Sequence, residues 1–291
     1  MTHLDARNTV AGMSALQKIN AYSGPGRLML MSGQGNDTPV LLTHGTFSTA
    51  ETCEPLARAL SEDRDVYIIE WRGRGRAPGR FDFHDLAEGE ITQALSFIDK
   101  PVHLVAHSGG GLALCFALLD PKNRAGVRSL TTIATQATHL TEAPRLNYAS
   151  IRWMEILGRL LGRWPARLTG LGPSDETAAL LSQWVTFNRT RQASTRDGRD
   201  LYDLLPGLQM PALVLAGAAD LTIARPDGCR ALAQAIGPMA HYHLCDQASD
   251  GEDFTHTRLI RSRAAARSVW PRIAAFLRAQ DASFASSPNI P

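Results

Sequence analysis

Pro101-Val-His-Leu-Val-Ala-His-Ser-Gly-Gly-Gly-Leu-Ala-Leu-Cys115 is the stretch that decides how this chain reads. A short apolar run at 102–105 leads into Ala-His-Ser-Gly-Gly, and small and apolar residues continue at helical spacing over 110–119. That is strand, tight turn and helix, with Ser108 at the apex. The G-x-S-x-G nucleophile elbow needs this arrangement, because the serine takes a strained backbone and small neighbours let strand and helix approach. Ala106 stands where the first glycine would fall, a departure of one methyl group. Taken alone, Ser-Gly-Gly-Gly reads equally well as a flexible turn. The rest of the chain must therefore supply partners for Ser108.

On both sides of the elbow, strands alternate with helices. Residues 27–32, 39–43, 65–71, 127–134, 211–216 and 241–245 read as strands, and 54–60, 85–98, a segment ending near Ile236, and 268–279 as helices. This alternation predicts an α/β fold, a mainly parallel sheet covered by helices on both faces, with functional groups on loops at the carboxyl ends of strands. Residues 136–206 break the pattern. They read as short helical stretches punctuated by Pro144, Pro165, Gly170, Gly172 and Pro173, with Trp153, Trp164 and Trp184 among them. The expected division is a core of 1–135 and 207–282, a helical cap of 136–206, and a flexible tail of 283–291. Up to about residue 23 the chain reads as a polar, partly helical lead-in.

Composition sets outer limits. With 291 residues, 44% hydrophobic and 20% charged, the chain is ordinary for a globular enzyme. A net charge of +2 provides no strong field for nucleic acid. The run Arg72-Gly-Arg-Gly-Arg-Ala-Pro-Gly79 is too short to read as an RNA-binding segment and has no stacking array beside it. No apolar run has the length of an export signal or a membrane span. Cys53, Cys115, Cys229 and Cys245 show no C-x-x-C spacing, so neither a zinc site nor a disulfide framework is expected. The expectation is a cytoplasmic protein without metal or cofactor.

Three residues then fall on loops after strands in the order serine, acid, histidine: Ser108, Asp220 and His256. A serine hydroxyl is a poor nucleophile until a neutral imidazole accepts its proton, and the imidazole needs a carboxylate to fix its tautomer. Among the nine histidines, His256 alone lies in a loop after the last predicted strand. Asp246, Asp250 and Asp253 rival Asp220, with Asp246 the first substitute. The developing oxyanion needs two fixed donors, expected to be the backbone N–H groups of Gly109 and, from the turn His44-Gly-Thr-Phe47, of Thr46. His44, Phe47, His107, Trp153, Trp184 and Phe187 are candidate pocket residues.

With these elements assembled, from His44-Gly45 through the Arg72-Gly73 turn, the elbow and Gly217-x-x-Asp220 to His256, the chain resembles the α/β-hydrolase superfamily. The resemblance implies an eight-stranded, mostly parallel sheet, a helical cap inserted after the sixth strand, and hydrolysis through an acyl-serine intermediate. The Trp71-Arg-Gly turn and the segment Leu171-Gly-Pro-Ser-Asp-Glu with Gln183-Trp184 are similar to lipase-like predicted hydrolases. Ala106, and Thr255 where glycine often precedes the histidine, depart from the pattern without removing a reacting group. Serine at the elbow speaks against the aspartate-nucleophile branches. The expected activity is hydrolysis of a small carboxylic ester, with lactonase, thioesterase, peptidase or acyltransferase chemistry as alternatives. A non-catalytic protein binding a small ligand in the capped pocket is the reading from another class.

Overall fold

The computed structural model describes residues 16–74, 79–139 and 148–286. Its centre is an eight-stranded sheet. The strands up to the insertion are β1 (Gln17–Lys18), β2 (Arg27–Met31), β3 (Val40–Thr43), β4 (Val66–Glu70), β5 (Val102–His107) and β6 (Val127–Ile133). The insertion carries a two-stranded ribbon, β7 (Arg163–Trp164) and β8 (Glu176–Thr177), and the sheet resumes with β9 (Ala212–Gly217) and β10 (Ala240–Cys245). The order across the sheet is β1-β2-β4-β3-β5-β6-β9-β10. β2 runs antiparallel to β1 and to β4, and every other pairing is parallel.

β3, β5 and β9 are buried at every position, as expected of continuous apolar runs covered on both faces. The β3–β5–β6–β9 centre brings the carboxyl ends of those strands to one edge, which fixes where the loops bearing Ser108 and Asp220 emerge.

Several expectations change in detail. The lead-in is not helical where it is described, since Gln17 and Lys18 pair with Leu30 and Met29 as an edge strand. Residues 1–15 of that segment lie outside the described residues, as do Gly75 to Pro78 of the arginine-glycine turn and Pro144 of the insertion. The helix expected at 85–98 is helical from Phe83 to Ile98 but widens into a π turn over Ala87–Ile91. There the fully buried Glu90 takes Arg72 in a bidentate pair, Nε and Nη2 each at 2.8 Å, and Gly89 leaves room for that guanidinium. The insertion, read as free of strands, contains the β7–β8 ribbon beside its helices Tyr148–Leu161 and Ala178–Thr190. The closing helix, expected to stop near 279, is Val269–Ser286, so it takes in the first part of the segment read as tail; 287–291 lie outside the described residues.

Candidate active site

Ser108 sits between β5 and the helix Gly109–Ala117 with φ 54° and ψ −128°. A non-glycine residue pays for that conformation, and the surroundings hold it there. Its N–H donates to the Ile133 carbonyl at 2.8 Å, and its own carbonyl accepts from Thr135 Oγ1 at 2.9 Å. Glycines are required because of what lies next to them. A Cβ on Gly110 would stand 2.4 Å from the His44 carbonyl, and one on Gly45 would stand 2.7 Å from Ser108 Cβ. Ala106 is fully buried in β5, where its methyl is accommodated.

The histidine reaches the serine from the loop after β10. His256 Nε2 lies 2.9 Å from Ser108 Oγ, and His256 Nδ1 lies 2.6 Å from Asp220 Oδ2. The carboxylate can only accept from Nδ1, so Nδ1 carries the proton and Nε2 is left to receive that of the hydroxyl. Burial alone would raise the Asp220 carboxyl, but His256 and the Ile223 and Ala224 N–H groups outweigh it and hold the group below the ordinary carboxylate range. The rival acids have other partners: Asp246 caps a helix by accepting from Ser249 N–H, and Asp253 accepts from Gln247 N–H. Asp250 pairs with His243 Nε2 at 2.7 Å and Arg272 at 3.3 Å.

His243, Cys245 and Asp250 present donor atoms within 4.8 Å of one another. The Arg272 guanidinium already pairs with that carboxylate at 3.3 Å, and burial together with Asp250 pushes the Cys245 thiol up to about 12. His243 on β10 and Arg272 on the closing helix meet at Asp250, so the cluster links those two elements.

Two N–H groups beside the serine have no partner among the described residues. Gly109 opens its helix, so no carbonyl one turn back awaits its N–H. The Thr46 N–H has no acceptor among the described residues, and its nitrogen lies 3.4 Å from where a Cβ on Gly109 would be. Thr46, Ser108 and Gly109 line one cavity with Phe83, Leu112 and Trp184.

The loop that carries Thr46 is gripped by the insertion. Phe47 has φ 60°, a left-handed conformation that is costly for an aromatic residue. Its N–H donates to Glu176 Oε2 at 3.2 Å, and its carbonyl accepts from Ser174 N–H at 3.1 Å. Glu176 is fully buried and its Oε2 also takes Arg74 Nη2 at 2.8 Å, while Arg74 Nη1 donates to the Asp175 carbonyl. A backbone strained at Phe47 is thus fixed at both of its polar groups by residues about 130 positions away.

The remaining candidate residues fall into three groups. Trp184 lines the cavity. His44, His107, Phe47 and Phe187 are buried around it: Phe47 packs with Trp164, Ala166 and Leu181, and Phe187 stacks with Phe83 at 6.5 Å. His44 Nδ1 donates to the Gly45 carbonyl, so its Nε2 accepts from Trp71 N–H at 3.2 Å; the Glu70 carboxylate 3.5 Å away is therefore a neighbour of a neutral ring, not its ion-pair partner. His107 donates from Nε2 to the His256 carbonyl at 3.1 Å, and complete burial with His256 nearby pushes its pKa down to about 3. Trp153 is not brought to the cavity; it is 62% exposed on the insertion's outer side.

Glu176, Ser174, Arg74 and Thr135 were not singled out as site residues by the sequence reading. The segment Leu171-Gly-Pro-Ser-Asp-Glu176 carried a likeness to other hydrolases, and Arg74 stood in the arginine-glycine run, but no local pattern tells that they meet at Phe47.

Asp220, His256 and Ser108 thus form a hydrogen-bonded series of carboxylate, imidazole and hydroxyl. The sequence profile of the Alpha/beta hydrolase family matches residues 40–281, and the chain belongs to that family. Similar solved structures include a monoacylglycerol lipase from Paleococcus ferrophilus, 17% identical, covering 87% of this chain and 98% of that one with a TM-score of 0.64. An esterase from Thermogutta terrifontis is 20% identical, covering 92% and 100% with a TM-score of 0.62. The enol-lactonase from Burkholderia xenovorans LB400 is 23% identical, covering 87% and 96% with a TM-score of 0.59. A search of curated protein sequences finds no significant match.

Proposed function

We propose that the protein hydrolyses small carboxylic esters through an acyl-Ser108 intermediate. The observation that carries this reading is His256, which bridges Ser108 Oγ at 2.9 Å and Asp220 at 2.6 Å, while Ser108 shares a cavity with Thr46 and Gly109. Ser108 attacks the acyl carbon as His256 takes its proton at Nε2. The oxyanion that forms receives the two backbone N–H groups, and His256 returns the proton to the departing alcohol. Water then cleaves the acyl-enzyme by the same route, with Asp220 holding the imidazole in its productive tautomer and balancing the imidazolium.

Apolar Phe83, Leu112 and Trp184 line the cavity beside Ser108. The insertion serves as the cap that supplies Trp184. Lipases, esterases and an enol-lactonase among similar structures support ester-bond chemistry on this fold.

The test is release of p-nitrophenol from esters of increasing acyl length by the wild type and Ser108→Ala. Wild-type turnover that collapses about a thousandfold or more in the variant is the expected result, and the acyl length turned over best reports the depth of the acyl pocket. Equal background in both proteins across esters, lactones and thioesters would overturn it in favour of a ligand-binding protein.

A further inference from the structure

The insertion grips the Phe47 loop on one side and turns a different surface to solvent on the other. Helix Tyr148–Leu161 packs against helix Ala178–Thr190 through Ile151, which is buried against Val185. The opposite side carries Trp153, Ile156, Leu157, Leu160 and Leu161, spaced three and four residues apart along the helix. They are 62, 39, 42, 77 and 61% exposed. A helix of a globular protein normally turns such a stripe inward. Here the inward side is already taken.

Arginines stand at the surface around this stripe. Arg152 and Arg159 flank it on the same helix, and Arg163 and Arg167 follow in the next turns of chain, with side chains 44, 64, 47 and 56% exposed. Their carboxylate partners, Glu155 and Asp175, are only 4 and 8% exposed. The acids therefore lie beneath the surface while the guanidinium groups stand at it.

We propose that this face docks on an anionic lipid bilayer, with helix Tyr148–Leu161 lying in the plane of the interface. Its stripe sinks toward the acyl chains and its arginines sit among the phosphate headgroups. A helix with Trp and Leu on one face and arginines along the flank is suited to that boundary, and the guanidinium fork matches phosphate oxygens. A symmetric pairing with a second copy would set the same four arginines against one another, a like-charge arrangement that works against it. The attraction is local, since the whole chain carries only +2. Docking is peripheral, because no helix among the described residues is long and apolar enough to cross a membrane. Trp184, on the helix behind this face, lines the Ser108 cavity, so a docked molecule would hold that cavity one helix away from the lipid.

The test is co-sedimentation of the full chain with vesicles of phosphatidylcholine alone and with vesicles containing phosphatidylglycerol, at low and high salt. The wild type should sediment with the anionic vesicles and be released by salt. The double variant Leu157→Glu/Leu160→Glu should lose about tenfold or more in affinity, with an unchanged melting temperature, since both side chains face solvent. No binding to anionic vesicles, equal binding to both vesicle types, or equal binding by the variant would overturn the proposal. So would a concentration-dependent wild-type dimer that the variant abolishes, which would give the face to a second copy.

Discussion

The two halves of the Ser108 site are held by different parts of the chain. Ser108, Asp220 and His256 stand beyond β5, β9 and β10 and are braced by the sheet and its loops: Ser108 N–H donates to Ile133, Ala218 N–H to Cys245 and Ala219 N–H to Phe254. The Thr46–Phe47 loop leaves β3, yet its conformation is fixed by Glu176 and Ser174 of the insertion. In the proposed mechanism the sheet therefore sets the proton relay, while the insertion sets one of the two anion donors. Changes to the insertion should act on oxyanion stabilisation and leave the relay in place.

The largest effect should come from the sheet-held half. Asp220→Asn keeps the shape but removes the charge and favours the wrong imidazole tautomer, and kcat should fall about a thousand- to ten-thousandfold. Steady-state kinetics on the best ester checks this; a loss below tenfold would mean that another acid orients His256.

Next comes the insertion-held half. Glu176→Ala removes the acceptor for Phe47 N–H and should lower kcat by about ten- to a hundredfold while KM changes little. It also strands the buried Arg74 guanidinium, at a cost of about 3–5 kcal/mol that a urea titration would read. Pairing Glu176→Gln with Arg74→Gln sharpens the point, because an amide oxygen still accepts from Phe47 and no charge is left unpaired. That double variant should recover most of both losses. If kcat stayed low while stability returned, the carboxylate charge itself would be needed.

A smaller effect separates the buried imidazole beside the relay from the relay itself. His107 stays neutral in the folded chain down to about pH 3, whereas the unfolded chain protonates it near the ordinary 6.5. Between those values the unfolded state binds the extra proton, so the stability that His107 contributes is complete above pH 6.5 and is lost as pH falls, by about 1 kcal/mol per pH unit. His107→Gln keeps a donor for the His256 carbonyl and cannot take that proton. Its urea midpoint should fall less steeply with acid than that of the wild type.

The same division explains what the sequence reveals. β3, β5 and β9 announce themselves because strands buried on both faces are continuous apolar runs, and Ser108, Asp220 and His256 follow them closely in sequence. The two-residue strand β1 is too short to show a period and is fixed only by pairing with Leu30 and Met29. The π turn at Ala87–Ile91 preserves the apolar spacing of a regular helix, so only the Arg72–Glu90 pair reveals it. The Glu176–Phe47 contact joins positions 129 apart through one side chain, and no periodicity encodes that. Trp153 is a pocket candidate in the sequence, but its position on the helix turns it outward.

The four cysteines have one more consequence. All are free and buried, and burial pushes the thiols of Cys115 and Cys245 up to about 12, with Cys53 and Cys229 raised as well. Oxidants and alkylating agents need an exposed thiolate, so iodoacetamide at neutral pH should leave the folded chain unlabelled and as active as before. Whatever ester turnover the protein has should therefore be indifferent to redox conditions, and silenced only by reagents that seek a hydroxyl.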